Sequence, residues 1–236
     1  MIDLHSHILP GVDDGARDFE DSLNILEGLA RQGITDIVLT PHYVAETSYI
    51  STRSKNLTIF EELKKKVKRA KLGINLYLAN EIYIDQKIEK YLKNKKIATI
   101  NDTKNLLIEL PMSGEFESYE DIILSLQNKG YTVILAHPER YRSTQKDFKI
   151  LERLHENGVL LQANLGSIIE QYGKHAKKTV KKLIKKDMVY CFGTDIHHAR
   201  DYNEIEKAQN KIAKIIGDKK LKQLLVKNPQ KLLQAQ

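Results

Sequence analysis

Short β-branched runs alternate with longer stretches of helical periodicity along the chain. The first run, Ile2 to His5, precedes an amphipathic segment from Phe19 to Arg31. Asp18 can cap that helix, Leu23, Leu26 and Ala30 share one face, and Gly33 can end it. A second strand follows at Asp36 to Thr40. Five more are expected at Leu76 to Ala79, Leu106 to Leu110, Thr132 to Ala136, Leu160 to Asn164 and Val189 to Phe192. The helices between them are expected over Leu57 to Lys71, Ile82 to Lys93, Glu117 to Lys129, Lys146 to Asn157, Ala176 to Lys186 and Asn203 to Ile216. Asn228 before Pro229 is a favourable start for one last short helix. Regular β-then-α alternation specifies a parallel sheet. Seven such units without a glycine-rich dinucleotide fingerprint favour an α/β fold with a closed or distorted (β/α)7 barrel over an open doubly wound sheet.

A chain of 236 residues with 41% hydrophobic content can bury one sizeable core, so a single domain over 1–236 is expected. No basic region followed by an apolar stretch opens the chain, and no run reaches the roughly 18 apolar residues of a membrane span. A soluble cytoplasmic protein without membrane insertion is the expectation. The single cysteine, Cys191, has no internal partner, which suits a reducing compartment. The net charge of +7 would suit an anionic partner, yet the lysines gather in helical stretches such as 64–71 and 177–186. These read as solvated helix faces.

In a β/α barrel the chemistry sits at the carboxyl ends of the strands. The first strand runs into His5 and His7, the second into His42 and the third into Glu81; the fourth supplies Glu109. The fifth runs into His137 and the seventh into Asp195 and His197, with Asp14 in the loop after the first. Imidazoles and carboxylates are ligands for zinc, manganese and iron, and nine of them exceed the needs of one ion. His5-Ser6-His7 and Asp195-Ile196-His197 each place two side chains on one face of an extended segment. His155 and His175 fall within helical patterns and read as surface residues.

The stretch from Met1 to Gly15, with Thr40-Pro41-His42, His137-Pro138-Glu139-Arg140 and Asp195-Ile196-His197, resembles the polymerase-and-histidinol-phosphatase (PHP) superfamily. More narrowly it resembles the manganese-dependent protein-tyrosine phosphatases encoded with bacterial capsule and exopolysaccharide genes, the CpsB type. The resemblance covers nearly the whole chain. It implies three divalent ions, manganese foremost with iron or zinc as alternatives. His5, His7, Glu81 and Asp195 would surround the first, and Glu81 would bridge to a second held by Glu109 and His137. Asp14, His42 and His197 would hold the third. It also implies arginines near the phosphate: Arg140 matches the motif, and Arg200 lies in the corresponding region with a shorter spacing. The implied partner is a tyrosine-phosphorylated protein, a membrane-associated tyrosine autokinase, visited from the cytoplasm. The implied reaction is hydrolysis of phosphotyrosine by a metal-activated hydroxide.

Other readings compete. A cysteine-dependent phosphatase needs arginine at the sixth position after its nucleophile, and the sixth residue after Cys191 is His197. Arg140 could instead pair with Glu139 or another loop acid. A histidinol-phosphate-like phosphatase or a nuclease would use similar ligands, although no ordered basic and aromatic surface suggests nucleic acid. A non-catalytic regulatory module with structural metals is the remaining alternative.

Overall fold

The computed structural model describes residues 1–113 and 116–234. The described strands are β1 (Ile2–Asp3), β2 (Asp36–Leu39), β3 (His42–Tyr43), β4 (Asn75–Leu78), β5 (Glu81–Tyr83), β6 (Asn105–Glu109), β7 (Thr132–Ala136), β8 (Leu160–Asn164) and β9 (Val189–Gly193). The helices are α1 (Phe19–Arg31), α2 (Arg53–Ala70), α3 (Ile88–Lys93), α4 (Glu117–Asn128), α5 (Arg142–Lys146), α6 (Lys149–Glu156), α7 (Gly173–Lys185), α8 (Ile205–Lys222) and α9 (Asn228–Leu233). All strand pairs are parallel, in a three-stranded sheet β1-β2-β4 and a six-stranded sheet β3-β5-β6-β7-β8-β9. This is an α/β fold. No helix among the described residues is long and apolar enough to cross a membrane.

Two of the expected strands, β2 and β4, are each followed by a short strand that was not expected, β3 and β5. Between β2 and β3 lies Pro41, which has no N–H to give to a ladder. Between β4 and β5 the side chain of Asn80 takes over the backbone's role. Its Nδ2 donates to Pro41 O and Ser51 O, both at 3.0 Å, and its Oδ1 accepts from Ala98 N at 2.8 Å. The chain then resumes an extended course, so Glu81 and His42 stand opposite each other in register.

The expected helix from Ile82 is therefore incorrect at its start. Glu81–Tyr83 pairs with Leu107–Glu109 as a strand, and helix begins only at Ile88. The helix expected from Lys146 begins only at Lys149, after Asp147, whose backbone is extended and whose carboxylate accepts from Lys149 N; Lys146 instead ends a separate short helix, α5, that was not expected. Helix α2 begins at Arg53 rather than Leu57. Helical backbone breaks at Gly217, just beyond the expected end at Ile216, and then resumes. Asn228 does not cap a new helix: it lies inside a helical course, and its Nδ2 donates to Tyr190 O. The start of α1 is as expected, with Asp18 accepting from Asp21 N. Its buried face centres on Ile25, Leu26 and Leu29, with Leu23 and Ala30 at the margins.

Strand alternation sorts the apolar residues into two clusters. Ile37, Leu39, Leu106, Ile108, Val133, Leu135 and Phe192 join the helices in the larger one. Their neighbours Val38, Leu107, Ile134, Ala136 and Cys191 form a smaller cluster on the opposite face, completed by Leu232 and Leu233 of α9. A sheet apolar on both faces is covered on both. The first and last strands also meet: Ser6 bridges Ile196, Asp195 N donates to His5 O at 2.9 Å, and Asp3 accepts from Thr194 N at 3.0 Å.

Candidate metal centre

The smaller apolar cluster gives way to polar groups where the strands end. His5 and His7 lie beyond β1 and are fully buried, and their Nε2 atoms face each other at 3.2 Å. His5 Nε2 is 3.3 Å from Glu81 Oε1 and 3.4 Å from Asp195 Oδ1. His7 Nε2 is 3.3 Å from Glu81 Oε2 and 3.4 Å from the same Asp195 oxygen. His137 Nε2 reaches Glu81 Oε1 at 2.8 Å and Glu109 Oε1 at 3.7 Å. His42 turns Nδ1 towards Glu81 at 2.9 Å and Nε2 towards Asp14 at 3.5 Å, and His197 Nε2 lies 3.6 Å from the same Asp14 oxygen. All nine residues picked from strand ends thus meet in one continuous cluster.

Backbone conformation helps to aim two of them. His137 and Asp195, at the ends of β7 and β9, have φ of 34° and 55°, values that side-chain-bearing residues seldom adopt. Gly15 answers a different need: a Cβ there would stand 1.9 Å from His7 O. Only glycine lets the loop carrying Asp13 and Asp14 fold back against His7.

The charges are mutually compensating. Burial would depress His5, but Glu81 and Asp195 raise it to about 9. Burial likewise opposes protonation of His7, yet Asp13 and the neighbouring carboxylates hold it well above the usual imidazole range. Glu81 and Asp195 resist their burial because His5 and its neighbours keep them far below the usual carboxylate range. Burial and the Glu81 charge push Glu109 up to about 8.

This donor set suits divalent cations. Ligand atoms about 2.1 Å from an ion in tetrahedral or octahedral geometry stand about 3.0–3.4 Å apart. The five distances joining His5, His7, Glu81 and Asp195 fall between 3.2 and 3.4 Å. Moreover, His42 Nδ1 and Glu81 Oε2 approach closely while neither makes a hydrogen bond. Buried polar atoms left in that state are costly, and a cation facing the free lone pairs of the cluster relieves it. Four overlapping groups have ligand atoms within 4.8 Å of one another: His7, Asp14, His42 and His197; His5, His7 and Glu81; His5, His137 and Asp195; and His42, Glu81 and Glu109.

The sequence model of the CpsB/CapC family of capsular polysaccharide synthesis matches residues 1–234. The chain belongs to the CpsB/CapC family. CapC of Staphylococcus aureus is 33% identical over 223 residues, 94% of this chain and 84% of its own length. The tyrosine-protein phosphatase YwqE of Bacillus subtilis (strain 168) is 31% identical over 237 residues, 100% of this chain and 92% of its own. A crystal structure from work on YwqE and the CpsB of Streptococcus pneumoniae, described as unique metal-dependent tyrosine phosphatases, superposes with a TM-score of 0.92. It covers 99% of this chain and 94% of that one at 31% identity.

The two arginines of this CpsB/CapC protein behave differently. Arg140 adjoins the cluster: its Nη1 donates to Asp195 Oδ2 at 2.6 Å, and its guanidinium lies 4.3 Å from the centre of the Tyr172 ring. The acid it pairs with is thus Asp195 rather than Glu139. Arg200 is 81% exposed, approaches Asp201 at 3.9 Å and lines an open cleft together with Asp13 and Asp14. Cys191 is buried among apolar side chains, and burial pushes its thiol far up, as expected for a packing residue.

Sequence reasoning missed the groups that orient the ligands. His7 Nδ1 donates to Asp13 Oδ2 at 2.8 Å, and His5 Nδ1 donates to Gln162 Oε1 at 2.8 Å. Gln162 Nε2 donates to Asn164 Oδ1 at 3.0 Å, and Asn164 Nδ2 donates to Asp195 Oδ2 at 2.7 Å. Glu139 accepts from Asn164 N and Ser167 Oγ, tying the loop before Arg140 to β8. The signal was Gln162 and Asn164 at period two in an otherwise apolar strand, which puts two polar groups on one buried face.

Proposed function

We propose that this chain is a metal-dependent protein-tyrosine phosphatase of capsule or exopolysaccharide synthesis, acting in the cytoplasm on a tyrosine autokinase. The observation that carries the proposal is the ring of ligand-spaced atoms from His5, His7, Glu81 and Asp195. Three divalent ions, manganese foremost, would be held by these residues with Asp14, His42, Glu109, His137 and His197. We also read residues 1–236 as one catalytic domain, of which Gly114, Glu115, Ala235 and Gln236 lie outside the described residues, and its strands as a closed, distorted barrel. The contacts between the ends of β1 and β9 and the two apolar faces of the sheets support that closure.

Bound divalent ions supply Lewis acidity, which lowers the pKa of water and offsets charge on a phosphoryl group. The chain's own groups prepare for this. Asp13 and Gln162 accept from the Nδ1 atoms of His7 and His5, which directs both Nε2 atoms inward, where they would serve as ligands once deprotonated. Arg140, held by Asp195 and the Tyr172 ring, offers a planar donor fork for phosphate oxygens. Release of a phenolate, whose conjugate acid has a pKa of about 10, places less demand on a general acid than release of an alkoxide.

The test is turnover of the chelated protein, reconstituted with manganese, iron or zinc, on four substrates. A phosphotyrosyl peptide should surpass a phosphoserine peptide, histidinol phosphate and an oligonucleotide in kcat/KM, and activity should vanish without metal. Preference for histidinol phosphate or the oligonucleotide would retain a phosphoesterase and reject the tyrosine phosphatase. Full activity in metal-free protein would reject the metal mechanism.

A further inference from the structure

Five large hydrophobic side chains are exposed among the described residues: Tyr49, Ile50, Met112, Leu124 and Ile215. The last two lie on α4 and α8, whereas the first three stand on loops following β3 and β6, the strands that carry His42 and Glu109. Isolated exposed apolar groups are ordinary on a protein surface. Tyr49 is not isolated: its ring meets His42 edge-on, centroids 5.9 Å apart and planes inclined at 69°, while the residue stays 37% exposed.

The loop that presents it is pinned at several points. Val44 N donates to Tyr49 O at 3.0 Å, and Tyr43 and Ile50 form an antiparallel bridge. Thr47 Oγ1 donates to Val44 O at 2.8 Å and accepts from Tyr49 N at 3.1 Å, while Lys87 Nζ holds Glu46 at 2.8 Å. The backbone therefore doubles back and holds the Tyr49 ring beside a cluster histidine.

We propose that Tyr49, with Ile50 beside it, forms the wall that receives the phenyl ring of phosphotyrosine and so selects aryl over non-aryl phosphates. The inference rests on the reading of the site as a phosphotyrosine phosphatase. A phosphate engaged at the cluster lies next to His42, and the first atoms beyond the ester oxygen fall on the rim. In phosphotyrosine those atoms are a flat ring, for which the face or edge of another ring is a favourable partner. The neighbouring cleft of about 500 Å³, on the Asp14 side, is lined by Asp14, Arg17, Asp21, Arg200 and the imidazole of His198. Tyr49 differs in setting a large hydrophobic ring on the rim beside a cluster histidine.

The experiment uses the manganese-loaded full chain, with Tyr49→Ala, Tyr49→Phe and, as an exposed apolar control, Leu124→Ala. Substrates are a phosphotyrosyl peptide, phenyl phosphate, and acetyl phosphate as an activated phosphate without a ring. Tyr49→Ala should raise KM for both aryl substrates by about three- to ten-fold. It should leave kcat/KM for acetyl phosphate and the metal content unchanged, while Tyr49→Phe and Leu124→Ala match the wild type. Equal losses on aryl and acetyl phosphates, no loss on any substrate, or loss of metal would overturn the proposal. A wild type inactive on the phosphotyrosyl peptide is a separate result, which removes the underlying reading of the site.

Discussion

Gln162 fixes which nitrogen of His5 is available. Its amide oxygen accepts from His5 Nδ1, and its own NH₂ is committed to Asn164 Oδ1 and Ala163 O, so the amide has one sensible orientation. Groups that orient a metal-ligating histidine typically contribute about 10–100-fold to metal affinity. Gln162→Leu should weaken manganese binding by about that factor, as measured by calorimetric titration of the chelated protein. Equal affinity for Gln162→Leu and the wild type would remove Gln162 from the centre. Cys191 gives the opposite expectation. Its thiol packs in the smaller apolar cluster, so Cys191→Ser should leave turnover intact while costing about 1–3 kcal/mol of stability for a buried hydroxyl without a partner. A phosphocysteine trapped by rapid quench would overturn this assignment.

At the scale of elements, what could be read from the sequence was whatever local chemistry dictates. The Asp18 cap, the Gly33 stop with φ of 77°, and the apolar strands β6 to β9 all announce themselves within a few residues. So did the cluster, because each of its members follows a strand that could be located without knowing its neighbours. The break at Asn80 was not legible. Its side chain bonds to Pro41, Ser51 and Ala98, partners 39, 29 and 18 residues away, and the strand preference of Ile82-Tyr83-Ile84 was the one local signal, overridden by the helical pattern that follows. The partnership of Gln162 with His5, 157 residues apart, was hidden for the same reason, whereas Asp13 accepts from His7 only six residues away through the fold-back at Gly15. Asn80 positions the adjacent Glu81, so its loss should be felt twice. Asn80→Ala leaves two carbonyls and one N–H without their side-chain partner, which should cost about 2–4 kcal/mol in urea unfolding and lower manganese affinity as Glu81 shifts. A stability loss with unaltered metal binding would show that Glu81 is held from elsewhere.

At the scale of the whole molecule, the cluster joins the two ends of the chain. His5 and His7 follow the first strand, Asp195 and His197 follow the last, and the backbone contacts between these segments are few: the Ser6–Ile196 bridge and its flanking hydrogen bonds. Paired imidazoles and carboxylates hold the centre together in the metal-free protein, with His5 raised to about 9 beside Glu81 and Asp195. The apolar clusters do not depend on the centre, so the metal-free chain should fold. Metal should then tighten the seam between β1 and β9, because an ion held by ligands from both ends binds the folded state and has little hold on the unfolded one. At a free manganese concentration about 100 times the dissociation constant, this linkage adds about 2.7 kcal/mol. For a chain of this size that corresponds to a rise in Tm of roughly 5–10 °C. Thermal unfolding of chelated and manganese-loaded protein measures the difference. His7→Ala and Asp195→Ala, one from each side of the seam, should each abolish most of the metal-induced rise, even though each also alters the stability of the metal-free protein. A rise that survives in either variant would place the stabilising ion away from the seam between the first and last strands.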